Sequence, residues 1–533
     1  MTSTLNDSAA NESLYTEITG NYQCSKFLHK DFLPNGQLKK LLTERNIKLE
    51  IKRDPQSPNT DLDPDQGLVN YIANHAARVF SILVVSGLVK KALTLKQYQF
   101  MDKYLPVQIN GKKVTTCHLL ADNQALSWFE DWSVVDLGHF NTYQWHFIAP
   151  VFTGDSIIDQ LHDKCPLPFV SYDDTNEGGS NGKIYKAQIH RDHITDIQHD
   201  KDITVAIKML RATHGPNRDY EVEIDALCLA RQLKNKHLVK FIAGFEVGEH
   251  HYLMFQWVDG GNLRRFWERP PWSRNESIPW AVKQMKGIAE CLEMLHGFNP
   301  DMNCRHGDLK PENILVSKDK ILQIADMGSA KIHMAPTNLR QIGIMSLAGT
   351  IRYQPPEMET NISGKRSRAY DVWSMGCIIL EFIIWVLYGP DGLREFDNSF
   401  DTMSQPFFYV DEERGPLRPN VTEWINHLRK TCLSGSDNEC VSRAMRDLLE
   451  FACNQILIEN DKVENGNMGQ ISKGRGVPNI LLSRATTRVK QGKQQQRAIM
   501  SDVSVMLKRI CSNKEPDYFY NEKAPITDTL TQR

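Results

Sequence analysis

Apolar positions recur at intervals of three and four along the first hundred residues. From Phe27 to about Leu105 this spacing predicts helices. The stretch FLPNGQLKKLLTERNIKLEI (32–51) is amphipathic, and VNYIANHAARVFSILVVSGLVKKALTLKQYQFMDKYL (69–105) reads as one or two helices with a broad apolar face. Between them, the Pro/Asp-rich RDPQSPNTDLDPDQG (53–67) predicts a loop. Residues 1–25 are polar and predict a frayed tail. Residues 106–160 mix short strand-like runs with Trp128, Trp132 and Trp145, aromatics expected in a core. The texture changes near Leu167. Short β-branched runs alternate with glycine-containing turns up to about Val258, and a long, mainly helical stretch follows. Strands first and helices later predict an α+β, two-lobed body behind a mainly helical N-terminal region.

The apolar run VWSMGCIILEFIIWVLY (372–388) holds only Ser374, Gly376 and Glu381 as non-apolar residues. It is barely long enough for a bilayer, and Glu381 at its middle is costly there. A fully buried core helix is the expectation, with no membrane partner. The 533 residues allow roughly two to four domains. With 41% apolar and 24% charged residues the chain is an ordinary globular one. A formal charge of −2 lacks the basic footprint of a nucleic-acid binder, so nucleic acid is not an expected partner. The basic, Gln-containing stretch between Glu464 and Asp502 is expected to be a solvated loop or frayed helix. The 11 cysteines are scattered without C-x-x-C spacing, which predicts reduced thiols and an intracellular setting, cytoplasmic or nuclear. The start, MTSTLNDSAANESLYTE, has neither the basic nor the apolar region of a secretory signal.

Candidate chemistry begins at EGGSNGKIYKAQI (177–189). Gly178, Gly179 and Gly182 let a backbone turn sharply and bring N–H groups to phosphate oxygens. The strand TVAIKML (204–210) follows, with Lys208 projecting from it. HGDLKPENIL (306–315) supplies Asp308, Lys310 and Asn313, and QIADMG (323–328) supplies Asp326. Two carboxylates and an amide so spaced can serve one Mg-nucleotide, since hard oxygen ligands suit Mg²⁺ and an acidic group can accept a hydroxyl proton.

In this order the residues resemble a eukaryotic-type protein kinase of the Ser/Thr class, over roughly residues 167–511. The resemblance implies ATP and Mg²⁺ as cofactors and a Ser/Thr protein substrate. It implies that Lys208 holds the α- and β-phosphates and that Asp308 is the catalytic-loop aspartate. Asn313 and Asp326 would bind magnesium, and Lys310 would neutralise the migrating phosphoryl group. GTIRYQPPE (349–357) matches the end of an activation segment, with Thr350 bonding near Asp308, and DVWSMG (371–376) the start of a central helix. The helix partner of Lys208 is sought among Glu221, Glu223 and Asp225; Glu223 is preferred because Leu227 lies one turn on, on the same face. Phe255 resembles the gatekeeper beside the adenine, and Gln256 and Val258 would offer backbone hydrogen bonds. Ile184, Ala206 and Leu315 would sandwich the ring, and Asn262 would touch ribose. The implied layout is a tail at 1–25, a helical region at 26–160 and a kinase-like domain at 165–511. Within that domain the small lobe is 165–258 and the large lobe 259–511, with an insertion inside 395–490; a second tail covers 512–533. The HGDLKPEN wording and the helical extension also resemble lineage-specific kinases of filamentous fungi.

Several positions depart from the family pattern. Glu177 stands at the first glycine position, Met327 replaces Phe, and Pro355-Pro356-Glu357 replaces A-P-E. Gly307 stands where many kinases carry an Arg that pairs with an activation-loop phosphate, so activity without phosphorylation in 326–357 is expected. Arg497 resembles the buried partner of Glu357, and the length between them motivates the insertion. The alternative reading is a nucleotide-binding pseudokinase acting as an interaction scaffold. A small-molecule kinase of the same fold is disfavoured by the peptide-docking segment.

Overall fold

The computed structural model describes residues 13–53, 65–116, 126–153, 157–179, 182–195, 201–210, 218–297, 304–327, 351–360, 367–402, 405–408, 416–431, 433, 440–458 and 496–522. The chain divides into two units. One comprises residues 1–220 and 240–257, the other 221–239 and 258–533.

In the first unit, helices α1 (Leu14–Gly20), α2 (Asn35–Leu41), α3 (Glu44–Arg53), α4 (Gln66–His75), α5 (Ala77–Ser86), α6 (Leu95–Tyr98) and α7 (Val134–Tyr143) surround one apolar core. Ser13 starts α1 by accepting from the Thr16 N–H at 3.2 Å, and Ser133 starts α7 with a reciprocal capping box to Asp136. α5 is buried from Val79 to Ser86, against Phe100, Trp128, Phe129, Trp132 and Phe140. The aromatics of 106–160 are therefore core here. The apolar run 69–105 is more broken than its periodicity suggests. It separates into α4, α5, a 3₁₀ turn (Val89–Thr94) and α6, with interruptions at Ala76 and at Gly87, which takes φ 69°. Residues 14–25 differ from the frayed tail expected there, since α1 and the first strand of a hairpin form, and 27–32 differ from the helical expectation. Residues 23–32 form a hairpin of β1 (Gln23–Ser25) and β2 (Lys30–Phe32), with His29 at φ 52° in its turn. A second hairpin joins β3 (Val107–Asn110) to β4 (Lys113–Thr116).

The same unit holds a six-stranded sheet: β5 (Ile157–Leu161), β6 (Phe169–Gly179), β7 (Gly182–Ile189), β8 (Ile203–Met209), β9 (Phe241–Val247) and β10 (His250–Gln256). Their order is β5-β9-β10-β8-β7-β6, antiparallel except for the β5–β9 pair. Because side chains alternate along a strand, the register assigns each residue to one of two faces. Ala187, Ile189, Val205, Ile207, Phe245, Tyr252 and Met254 share the face buried in a second core.

Helix α8 (Arg218–Gln232) crosses the division after Tyr220. The second unit continues with α9 (Leu263–Phe266), α10 (Arg274–Gly297), the hairpin β11 (Ile314–Val316)–β12 (Leu322–Ile324), α11 (Glu357–Thr360), α12 (Arg368–Asn398), α13 (Pro419–Thr431), α14 (Arg443–Phe451) and α15 (Met500–Cys511). α12 is long and apolar enough, by length and composition, to cross a membrane, and 94% of its most apolar window is buried inside the protein. It kinks at Gly389, which takes φ 68° and ψ −162° ahead of Pro390. Its apolar side chains pack in one core with Ile288 and Leu292 of α10, Leu448 of α14 and Leu507 of α15. Each large aliphatic side chain so buried contributes about 1.5–3 kcal/mol, which sets the rigidity of the elements hung on this helix.

Candidate active site

The first unit carries the glycine hairpin and Lys208. At the β6–β7 join, Gly178 pairs with Lys183 and Gly179 with Gly182; Ser180 and Asn181 lie outside the described residues. On β8, Lys208 lies opposite Ile184 of β7 and Leu253 of β10, and Ala206 opposite Lys186 and Phe255. Ile184, Ala206, Lys208 and Phe255 therefore share the face opposite the apolar core of the sheet, an assignment fixed by register alone. Lys208 is buried on that face. At the end of β10 the Gln256 N–H donates to the Lys240 carbonyl at 2.9 Å. Val258 opens the second unit. Of the three acidic candidates on α8, Glu221 and Asp225 are exposed, while Glu223 is buried along with Leu227.

The second unit carries the remaining candidates on the loop between α10 and β11 and at the end of β12. The Asp308 carboxylate (Oδ2) accepts from Lys310 Nζ at 2.9 Å and from Asn313 Nδ2 at 3.2 Å. Asn313 Nδ2 also donates to the Asp308 carbonyl at 2.9 Å, which turns its amide oxygen away from that carboxylate. The β11–β12 hairpin delivers Asp326 to the same region: the Ala325 N–H donates to the Asn313 carbonyl at 2.8 Å, and His306 Nε2 donates to the Ala325 carbonyl at 2.9 Å. Asp326 itself takes φ 58°, an uncommon left-handed conformation for a non-glycine residue. By donor chemistry, an amide oxygen and a carboxylate suit a hard divalent cation such as Mg²⁺.

Asp371, at the start of α12, fixes this loop from beneath. It is fully buried and accepts from the His306 N–H, the Gly307 N–H and His296 Nε2, each at 2.8 Å. Burial opposes its ionisation, yet the His296 hydrogen bond and the neighbouring imidazoles hold its carboxyl below the usual aspartate range. Gly307 takes φ 79°, so the turn that aims two successive N–H groups at Asp371 favours glycine at this position. A second close approach brings Leu315 beside Asn262. The Gly260 N–H donates to the Val316 carbonyl and the Val316 N–H to the Gly261 carbonyl, both at 2.8 Å. A Cβ at Gly260 would lie 2.4 Å from that Val316 oxygen. The Asn262 side chain accepts from the Arg265 N–H at 3.0 Å and caps α9.

Thr350 lies outside the described residues, which resume at Ile351. There a buried charge cluster appears that reading the sequence did not assemble. Glu381, at the middle of α12, accepts from Arg264 at 3.0 Å and from the Tyr353 hydroxyl at 2.9 Å. Arg264 also donates to the Tyr353 hydroxyl and reaches Glu312 at 3.4 Å and Asp397 at 3.7 Å. Arg352 donates to Asp397 at 2.6 Å, its guanidinium against the rings of Phe400 and Phe407. Burial works against the Arg264 charge, and Glu381, Tyr353, Glu312 and Asp397 together more than offset it, so its pKa is raised. The signal in the sequence was Glu381 itself, a lone acid inside an apolar run that burial obliges to find partners. Arg497 is buried and forms a bidentate pair with Glu357, while its guanidinium also meets the Ile458 carbonyl at 2.7 Å and stacks over Trp373.

The protein kinase domain matches residues 179–450, half of the chain, and the chain belongs to the protein kinase family. It is 30% identical over 206 residues to the Aurora/IPL1-related protein kinase 2 of Caenorhabditis elegans, covering 39% of this chain and 60% of that protein. It is 26% identical over 287 residues to a probable serine/threonine-protein kinase of Dictyostelium discoideum, covering 52% of this chain and 14% of the relative. It is 27% identical over 252 residues to cyclin-dependent kinase-like 2 of Pongo abelii, covering 43% and 48%. In each case the chain spans less than two thirds of the relative's length.

Proposed function

We propose that the protein transfers the γ-phosphoryl group of Mg-ATP to Ser or Thr hydroxyls of protein substrates, inside the cell. The reading rests above all on the Asp308–Lys310–Asn313 cluster joined to Asp326 through β12. Magnesium, held by the Asn313 amide oxygen and the Asp326 carboxylate, would neutralise phosphate charge. Lys208 and the backbone of the glycine hairpin take the α- and β-phosphates. Asp308 orients the substrate hydroxyl and accepts its proton, and Lys310, 2.9 Å from that carboxylate, offsets charge on the transferred group. Lys310 two places after Asp308, and Thr350, favour the Ser/Thr class, as does the name of the Dictyostelium discoideum relative. Gly307 supplies no guanidinium for a loop phosphate, and the Arg264–Glu381–Tyr353 and Arg352–Asp397 contacts supply order near residue 352 by other means. These features support activity without activation-loop phosphorylation. The scattered thiols support a cytoplasmic or nuclear location.

The test is transfer of radiolabelled phosphate from ATP to a generic basic protein with Mg²⁺, wild type beside Asp308→Ala. Incorporation on Ser or Thr in the wild type, lost in the variant, is the expected result. Nucleotide binding with no transfer would replace this reading by a scaffold function, and incorporation on Tyr would overturn the substrate class.

A further inference from the structure

The N-terminal hairpin touches the sheet that carries Lys208, and does so on its far side. Four rings surround Phe27 edge-on at 5.4–5.7 Å: Phe169 and Tyr172 of β6, Tyr185 of β7 and Tyr252 of β10. In the sheet order, β10 and β7 are the two neighbours of β8. Tyr185 lies opposite Ile207 and Tyr252 opposite Met209, the residues flanking Lys208 on β8. One ring from outside the kinase match thus rests on both strands that hold the lysine strand. It does so on the face away from Ile184, Ala206 and Lys208.

Two further ties fix the hairpin. The Lys26 N–H donates to the Phe169 carbonyl at 2.9 Å. Just after β2, the Asn35 N–H at the start of α2 donates to His193 Nε2 at 3.2 Å, and His193 Nδ1 donates to the Pro150 carbonyl at 2.8 Å. Phe32 packs on the His193 ring at 5.2 Å. His193 belongs to the turn Arg191–His193, which leads from β7 towards β8. The hairpin is therefore anchored over the middle of the sheet and again at the connection between two of its strands.

We infer that the 23–32 hairpin is a built-in brace of the Lys208 sheet, with Phe27 as a positioning residue acting through Tyr185 and Tyr252. Its mechanical part stands on the contacts above; its consequence for ATP rests on the kinase reading. A strand clamped on both sides loses freedom to twist, so Lys208 meets the phosphates without first being ordered. Removing the clamp weakens ATP binding more than the chemical step.

The experiment uses the full chain with Phe27→Ala and Phe27→Leu. Hydrogen exchange is followed at the amides of β7, β8 and α10, beside KM for ATP and kcat. For Phe27→Ala we expect amide protection in β7 and β8 to fall by about tenfold or more while α10 is unchanged. KM for ATP should rise about fivefold with kcat within about twofold, and Phe27→Leu should restore most of both. Should Phe27→Ala not fold, the Leu variant reads the same amides, with a smaller loss confined to β7 and β8. Unchanged protection in β7 and β8, or a loss spread equally into α10, overturns the brace. If the wild type transfers no phosphate, the kinase reading falls while the exchange result still decides the brace.

Discussion

Replacing Asp371 by alanine removes a carboxylate that accepts from three buried donors. The His306 N–H, the Gly307 N–H and His296 Nε2 each meet this carboxylate at 2.8 Å. Each hydrogen bond to a charged group is worth about 1.5–3 kcal/mol, so simple addition gives about 4–9 kcal/mol. Two of the three share one oxygen, and the variant no longer buries a carboxylate, so a net loss of about 3–5 kcal/mol is expected. That is a large share of a typical total of about 5–15 kcal/mol. Asp371→Asn should lose about half as much, because its amide keeps one acceptor oxygen and turns a donor towards another donor. The loop also carries Asp308, one residue beyond Gly307, so kcat should fall at least about a hundredfold with KM for ATP changed far less. The assay is guanidinium unfolding with steady-state kinetics on variants that remain folded. The Asp371 carboxyl has its pKa lowered from 3.8 by folding, so its stabilisation is present above that value and lost as pH falls through the folded pKa. The gap between wild type and Asp371→Asn should therefore close below about pH 4. An Asp371→Ala protein within about 1 kcal/mol of wild type, with normal kcat, would refute the role assigned to these three bonds.

Arg497→Met strips the Glu357 carboxylate of its bidentate partner and leaves the Ile456 and Ile458 carbonyls without their donor, which should cost about 3–5 kcal/mol by denaturant unfolding. A cost under about 1 kcal/mol would show that the pair does not fasten this segment. His193, buried and held neutral between Asn35 and Pro150, has its pKa pushed from 6.5 down to about 4. Its contribution is present above pH 6.5 and lost as pH falls towards 4, roughly 3 kcal/mol in all, and His193→Gln should flatten that slope in unfolding measured across the range. Single Ala or Glu replacements of Ser329, Thr337 and Ser346 should leave activity within about threefold. A tenfold activation by Thr337→Glu or Ser346→Glu would count against phosphorylation-free activity.

Local chemistry was the most legible part of this chain. Lys208, Asp308, Asn313 and Asp326 sit in short motifs whose residue types carry their own rationale. The burial of 372–388 followed from composition and from the cost of Glu381 in lipid. Less legible were the breaks in 69–105, because Gly87 and Ala76 interrupt helices without altering the apolar spacing. The hairpin at 23–32 was hidden for a related reason: Phe27 reads equally well as a helix stripe residue, and only the four rings around it select the turn. Gly307 reads from the sequence only as an absent arginine; its φ of 79° adds a turn that favours glycine.

By itself the sequence determined which chemical groups the chain carries and the helical or strand character of its longer runs, since periodicity and residue type act over a few neighbouring positions. The tertiary structure decided which distant groups meet: Glu381 with Arg264 and Tyr353, Asp371 with three donors from two segments, and Phe27 with three strands. Such pairings depend on how buried charge and aromatic surface are satisfied across the whole fold, and no local spacing encodes them.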